Sequence, residues 1–473
     1  MAVKYQFPAD FWWGAATSGP QSEGRFHKAH RSVFDYWFDM EPQAFFGGVG
    51  PDVASNFYND YARDIALMKS IGLNSVRTSI QWTRLIKDFE TGETDPDGVR
   101  FYNAVIDEFL KQGIRPIMNL HHFDLPIELY EKYGGWESKH VVDLFALFAK
   151  RCFELFGDRV KDWVTFNEPM VVVEGEYLYE FHYPKLVDGK KACQVLYNLN
   201  LASAKAIEVF HASDCAKLGG RIGIVLNLTP AYPRSDAPED VAAAKFAEDY
   251  KNNSFLDPAV HGTFTEDLVK VLAEDGVLWE STPEELDIIK NHTVDFLGIN
   301  YYQPFRAKAR ETPFDASCGW LPEKHFESYE MPGRRIRTAA GRSIRRPSTI
   351  SPSTCAIISA TSPGTFPRTA WASRERRNTA TPTASSRTTT ASTSSRNISN
   401  GCTRALRRDR TASAIISGRR LIAGPGRTLT RTATASSRST SKHRKKPLKN
   451  QAIGSAMSLR IMDFEHLFLN HKN

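Results

Sequence analysis

The sequence lacks closely spaced cysteines, long apolar runs and, over its last third, acidic residues. Its six cysteines form no CxxC pair, which argues against a structural zinc site or a disulfide framework and fits free thiols in a reducing compartment. No run reaches the length of a membrane span, and the first residues lack the apolar core of a signal peptide. We therefore expect a cytoplasmic protein without a membrane partner, a metal or a cofactor.

Charge is distributed very unevenly along the chain. Residues 1–336 contain 35 Lys and Arg against 50 Asp and Glu, a net charge of −15, whereas residues 337–473 contain 26 against 4, a net charge of +22. The basic part consists largely of Ser, Thr, Arg and Ala and has few apolar residues at a helical or strand period, so we predict that it is irregular. The sequence thus predicts a folded domain over 1–336 and an aberrant basic tract over 337–473.

The first part alternates strand-like runs with amphipathic helical segments. The predicted strands are residues 11–17, 74–80, 115–120, 162–166, 221–228 and 295–302. Helical segments such as 60–72 and 101–113 lie between them, and each ends in a glycine suited to a helix C-cap. Six βα units at this spacing predict an α/β fold, a (β/α)8 TIM barrel, with the last two βα units lost or scrambled.

Polar residues follow these strands at the rim where barrel enzymes carry out their chemistry. Five motifs occur in order: FWWGAATSGPQSEG (11–24), VRTSIQWTRL (76–85), NLHHFDLP (119–126), TFNEP (165–169) and LGINYY (297–302). Together they resemble glycoside hydrolase family 1, and the first resembles its 6-phospho-β-glucosidase branch. The resemblance covers residues 5–336.

The resemblance implies a sugar pocket and one half of a catalytic pair. It makes Glu168 the general acid/base and places Arg77 near the nucleophile. The implied substrate-binding residues are Gln21, His122, Asn167, Asn300 and Tyr302. Taken singly, each of these is more often a surface, capping or core polar residue, but their recurrence at successive strand ends favours a pocket. A carboxyl at a strand end, restrained by Pro169, is also well placed to protonate a leaving oxygen.

The second carboxylate, which a retaining glycosidase needs as its nucleophile, is missing. The resemblance implies a Glu-Asn-Gly motif after the seventh strand, and residues 169–473 contain no such triplet. One interpretation is a natural Arg- and Ser-rich tract that binds nucleic acid. The other is translation in the wrong frame.

The genetic code favours the second interpretation. In a frame that joins the third base of each codon to the first two bases of the next, Trp371 forces glycine in place of Ala372. Residues 367–373 then permit Ser-Glu-Asn-Gly-Met-Gly-Val, with the glutamate in place of Arg368. The same frame permits Asp-Cys-Trp-Ser-Trp over 422–426, Tyr-Lys-Asn-Arg-Tyr-Gly-Phe over 430–436, and a stop codon in place of Glu465. We therefore predict a frameshift near residues 335–337 that removes the nucleophile.

The shifted frame also bears on the substrate. In place of Pro425 it permits serine but no acid, whereas family members that act on unphosphorylated glucosides usually carry glutamate there; in place of Arg431 it permits lysine. Serine and lysine suit a 6-phosphate, which a carboxylate would repel.

The predicted reaction is retaining hydrolysis of 6-phospho-β-glucosides such as cellobiose 6-phosphate, with the chain as written inactive. The predicted binding partner is a small-molecule substrate, and we expect no specific binding of nucleic acid. Two alternatives stay open: a β-glucosidase or β-galactosidase for unphosphorylated sugars, and a non-catalytic protein with a nucleic-acid-binding basic tail.

Overall fold

The computed structural model describes residues 7–329 and the backbone of four short strands further along the chain. Eight strands form a closed barrel. They are β1 (Trp12–Ala16), β2 (Ser75–Ser79), β3 (Arg115–His121), β4 (Asp162–Asn167), β5 (Arg221–Leu226), β6 (Phe296–Tyr301), β7 (Thr354–Ile358) and β8 (Ala414–Ser417).

Strands β1 to β6 are the six predicted strands, and they pair in parallel in chain order. Each predicted end lies within two residues of the observed one. Strands β2 to β6 are almost entirely buried because both faces are covered, one by the helices and one by the barrel interior. Their carboxyl ends therefore meet at one rim, as a (β/α)8 barrel requires.

The structure places two barrel strands within residues 337–473, the part of the chain predicted to be irregular or weakly packed. The runs TCAII and AIIS are rich in Ile and other strand-favouring residues, and they supply β7 and β8, which close the barrel between β6 and β1. Two strands that complete the barrel count against a frameshift in this part of the chain. However, β7 runs antiparallel to both β6 and β8. In a (β/α)8 barrel all eight strands are parallel, so the seventh unit departs from the pattern.

Helices surround the six parallel strands. The longer ones are Val33–Met40, Phe57–Ser70, Pro96–Lys111, Ile127–Tyr133, Lys139–Phe156, Pro169–Tyr177, Gly189–Ala212, Pro238–Glu248, Ser254–His261, Glu266–Glu274 and Pro283–Asn291. Single turns lie at Gly19–Ser22, Trp82–Leu85 and Asp214–Lys217, and a π-helix spans Asp249–Asn253. The predicted glycine C-caps are confirmed, because Gly72 and Gly113 adopt φ angles of 88° and 65°, which favour glycine.

Short strands outside the barrel form small sheets. A hairpin pairs Ile86–Asp88 with Glu93–Thr94, and a three-stranded sheet joins Ala231–Pro233, Phe305–Lys308 and Glu327–Ser328. Two further strands, Leu421–Ile422 and Thr428–Leu429, pair with each other.

The core has two parts. The larger part lies between the strands and the helices, and a small cluster inside the barrel contains Ile117, Val164, Val225 and Phe296, with Trp12 and Ala16 packed against it. Cys152 and Cys193 are fully buried, which confirms their prediction as small apolar core residues. Within the described residues, no helix has the length and apolarity of a membrane span, and no group of three or more His, Cys, Asp or Glu side chains could hold a metal.

Candidate active site

Glu168 stands where β4 turns into the helix Pro169–Tyr177. Its φ angle of 51° lies in the left-handed region, which a non-glycine residue occupies at a cost of about 1–3 kcal/mol. Pro169 fits the first helical position because it needs no hydrogen-bond partner for its nitrogen. The Glu168 backbone nitrogen donates to the carbonyl of Val225 on β5 at 2.7 Å. The backbone therefore fixes the direction of this side chain.

The carboxyl group of Glu168 is buried, and two side chains donate hydrogen bonds to its Oε1 atom. Its side chain is 1% exposed. Asn300 Nδ2, at the end of β6, donates to Oε1 at 2.5 Å, and the hydroxyl of Tyr302 donates to the same oxygen at 2.6 Å. Three of the predicted site residues thus meet directly at one carboxylate oxygen.

Asn167 connects this carboxylate to two more of the predicted residues. Its Oδ1 accepts from Asn300 Nδ2 at 3.2 Å and from Arg77 Nη1, so the side-chain oxygen is the end of the amide that faces both donors. Its Nδ2 lies 3.4 Å from His122 Nε2. Asn167 is therefore the central polar residue of the site.

His122 is oriented by an asparagine that the sequence analysis did not select. Asn119 Nδ2 donates to the carbonyl of His121 at 2.9 Å and lies 3.3 Å from His122 Nδ1. Both ring nitrogens of His122 thus lie close to an amide nitrogen, Nδ1 to that of Asn119 and Nε2 to that of Asn167. The only sequence signal for Asn119 was its position two residues before the end of β3.

Among the described residues, Gln21 is the one predicted site residue that is not brought into this cluster, and the predicted nucleophile position at Arg368 lies outside the described residues. Gln21 lies in the turn Gly19–Ser22 after β1, on the same rim, and it is partly exposed. Its backbone carbonyl accepts from Ser55 Oγ at 3.5 Å, and no hydrogen bond among the described residues joins its side chain to the Glu168 cluster. Its predicted role is to contact a sugar, and this role stays a prediction.

The paired histidines after β3 have different environments. His121 is buried beside Trp136, whose Nε1 donates to His121 Nε2 at 3.2 Å, and burial lowers the pKa of His121 to about 3. Asp124 Oδ1 accepts from the backbone nitrogen of His122 at 2.9 Å, and burial raises the pKa of Asp124 to about 7. Asp124 was not predicted from the sequence, although its place two residues after His122 is typical of a side chain that caps a turn.

Asp124 makes the stability of the domain depend on pH. Its pKa is raised in the folded state, from 3.8 to about 7, so the folded chain binds the proton more tightly than the unfolded chain does. We expect the free energy of unfolding to fall by about 3 kcal/mol between pH 4 and pH 7, relative to Asp124→Asn. Denaturant unfolding of both proteins at each pH measures this difference.

An exposed aspartate provides the control for that experiment. Asp236→Asn should leave the pH dependence of unfolding unchanged, because Asp236 lies on the surface in a bend. Parallel curves for the native chain and Asp124→Asn would show that the hydrogen bond from the His122 backbone and the charge of Lys28 together outweigh burial and keep Asp124 ionised.

An eight-stranded α/β barrel that gathers a buried glutamate, two asparagines, a histidine and an arginine at the carboxyl ends of its strands has the features of a sugar-cleaving enzyme. The model of glycosyl hydrolase family 1 matches residues 3–327, and the chain belongs to this family.

Relatives and solved structures agree with this family. The chain is 48% identical over 343 residues to 6-phospho-beta-glucosidase GmuD of Bacillus subtilis, covering 72% of this chain and 73% of that protein. It is 36% identical over 301 residues to aryl-phospho-beta-D-glucosidase BglC of the same species, covering 63% and 62%. The family 1 β-glucosidase from Thermotoga maritima superposes with a TM-score of 0.62 at 34% identity and 72% coverage of each chain.

Proposed function

We propose that this protein is a form of a cytoplasmic, retaining 6-phospho-β-glucosidase that has lost its nucleophile. The observation that carries the proposal is the position of Glu168 at the end of β4, buried and fixed by Asn300 and Tyr302. A family relative at 48% identity is named a 6-phospho-β-glucosidase. The substrate is a small phosphorylated sugar.

Glu168 is the proposed general acid and base. It would protonate the oxygen of the leaving group while a second carboxylate attacks the anomeric carbon from the opposite face, and it would then take a proton from the water that cleaves the glycosyl intermediate. The imidazole of His122 and the amide of Asn167 lie 3.4 Å apart, and each is a group that can hydrogen-bond to a sugar hydroxyl. These groups would hold the sugar ring while Glu168 acts.

The nucleophile is the missing part. We assign it to the glutamate that the shifted frame permits in place of Arg368, and we assign the frame change to residues 335–337. The reversed direction of β7 supports this assignment, because a natural seventh βα unit would run parallel to β6. The closure of the barrel by β7 and β8 weighs against it, and the coding sequence separates the two interpretations.

Substrate choice can be tested on the frame-restored protein. We expect its kcat/KM for a chromogenic 6-phospho-β-glucoside to exceed that for the unphosphorylated glucoside by about 100-fold or more, because a lysine and a serine would bind the phosphate directly. Steady-state rates with the two substrates, and with the matching galactosides, measure the preference. A higher kcat/KM for the unphosphorylated glucoside or galactoside would instead identify the alternative β-glucosidase or β-galactosidase.

A further inference from the structure

Asp124 has a buried carboxyl group that is bonded to the backbone of a predicted sugar-binding residue. It is 2% exposed, and its Oδ1 accepts from the backbone nitrogen of His122 at 2.9 Å. Between these two residues, Phe123 has a φ angle of 65°, in the left-handed region that a non-glycine residue adopts only at a cost. The hydrogen bond closes the turn over Phe123, so Asp124 fixes the backbone from which the His122 ring extends.

The ring of His122 is aligned between two asparagines. Nδ1 lies 3.3 Å from Asn119 Nδ2, and Nε2 lies 3.4 Å from Asn167 Nδ2. Both distances are near the upper limit of a hydrogen bond, so a shift of the His122 backbone by a few tenths of an ångström would lengthen one of them beyond that limit. Asp124 therefore acts on the ring through the backbone.

The ionisable side chains that interact with the Asp124 carboxyl group are Lys28, Glu23, His121 and Tyr102. Burial raises the pKa of Asp124 to about 7, and beside this effect the charge of Lys28 lowers the pKa while that of Glu23 raises it. The other two side chains are neutral near pH 7, because burial lowers the pKa of His121 to about 3 and raises the pKa of Tyr102. The group that accepts from the His122 nitrogen is therefore a carboxylate above about pH 7 and a neutral carboxyl group below it.

We propose that Asp124 is a positioning residue of the sugar site, which holds the backbone of His122 so that the ring lies between Asn119 and Asn167. The inference rests on the proposed function, because a sugar hydroxyl is the group that His122 would bind. A charged acceptor forms a stronger hydrogen bond than a neutral one. The bond therefore weakens when Asp124 is protonated, and the affinity for the sugar falls with it.

Nuclear magnetic resonance of the 473-residue chain tests this bond directly. With histidine as the only nitrogen-15-labelled residue type, the amide resonance of His122 is identified by its loss in His122→Gln. Its proton shift should move through a midpoint near pH 7, and Asp124→Asn should abolish this movement, because the amide keeps an oxygen acceptor but does not titrate. An unchanged resonance between pH 5.5 and pH 8.5, or movement that persists in Asp124→Asn, would overturn the proposal.

Sugar binding is compared on the frame-restored protein, as the KM of Asp124→Asn for a 6-phospho-β-glucoside divided by the KM of the restored parent. The ratio should be near one at pH 5.5 and rise to about 5-fold at pH 8.5, with kcat changed much less. Titration of the substrate phosphate and of the catalytic carboxyl groups cancels in the ratio, because both proteins share it. A ratio that is independent of pH would show a purely structural role for Asp124 and would overturn the proposal.

Glu248→Gln is the matched control. Glu248 Oε2 accepts from the backbone nitrogen of Ala231 at 2.6 Å, and burial raises the pKa of Glu248, so this residue resembles Asp124 in both respects. Because the strand Ala231–Pro233 belongs to the small three-stranded sheet outside the barrel, the KM ratio of this variant should stay near one at both pH values.

The two measurements separate the role of Asp124 from the proposed function. A restored protein that does not cleave 6-phospho-β-glucosides, together with the expected resonance shift in the 473-residue chain, would overturn the function and support the position of His122. An active restored protein whose KM ratio does not depend on pH would overturn only the role of Asp124.

Discussion

The 473-residue chain is expected to hydrolyse a chromogenic 6-phospho-β-glucoside at least about 10⁴-fold more slowly than the same protein with its reading frame restored. Glu168 can help a leaving group depart, but a retaining reaction also needs a second carboxylate to form or stabilise the glycosyl intermediate, and the proposed frameshift removes it. The arginine at position 368 is no substitute, because a cation on that face would repel the positively charged transition state. Initial rates of both purified proteins give the ratio.

The restored protein needs its own control, because frame restoration changes many residues at once. Replacing only the regained glutamate, at the position of Arg368, by glutamine should return the rate to that of the original chain. Host enzyme must be excluded by expression in a strain without phospho-β-glucosidase. Comparable rates for the 473-residue chain and the restored protein would contradict the loss of the nucleophile.

The second large effect is expected from Glu168→Gln in the frame-restored protein. Turnover of substrates with poor leaving groups should fall by about 10²–10⁴-fold, because the amide cannot donate a proton to the departing oxygen. A substrate with an acidic phenol as leaving group should lose much less in its first step, since that oxygen needs little protonation. Steady-state kinetics over a series of phenols of different acidity measure the trend.

A matched variant separates proton transfer from the position of the carboxyl group. Tyr302→Phe removes the 2.6 Å hydrogen bond to Glu168 Oε1 but keeps the carboxyl group. It should reduce turnover of all leaving groups by a similar factor, whereas Glu168→Gln should discriminate between them. An equal loss for every leaving group with Glu168→Gln would show that this residue is not the acid.

The sequence predicted the six parallel strands and most of the pocket because their signals are local. Apolar runs of strand length, glycine C-caps and polar residues directly after each strand are readable without tertiary structure. Asn167, Glu168, Asn300 and Tyr302 could be grouped because the carboxyl ends of parallel strands share one rim. Their hydrogen bonds to one carboxylate oxygen followed from that placement.

Other features depend on contacts that no local pattern reveals. Asn119 orients His122 through a contact between two side chains near the end of β3, and nothing in the motif distinguishes that asparagine from an ordinary strand residue. The raised pKa of Asp124 arises from its burial in the folded domain. Strands β7 and β8 pair with β6 and β1, which lie far away in the sequence. The polar and basic composition of residues 337–473 predicted irregular structure, although two short runs there favour strands.

The nucleotide sequence of the coding strand across residues 335–337 tests the frame change most directly. One base should be missing there relative to the frame of residues 1–336. After its restoration the reading frame should stay open, encode Ser-Glu-Asn-Gly at residues 367–370, and end at the position of Glu465. A confirmed, uninterrupted coding sequence that yields the 473 residues as written, in a chain that hydrolyses 6-phospho-β-glucosides, would contradict both the frameshift and the missing nucleophile.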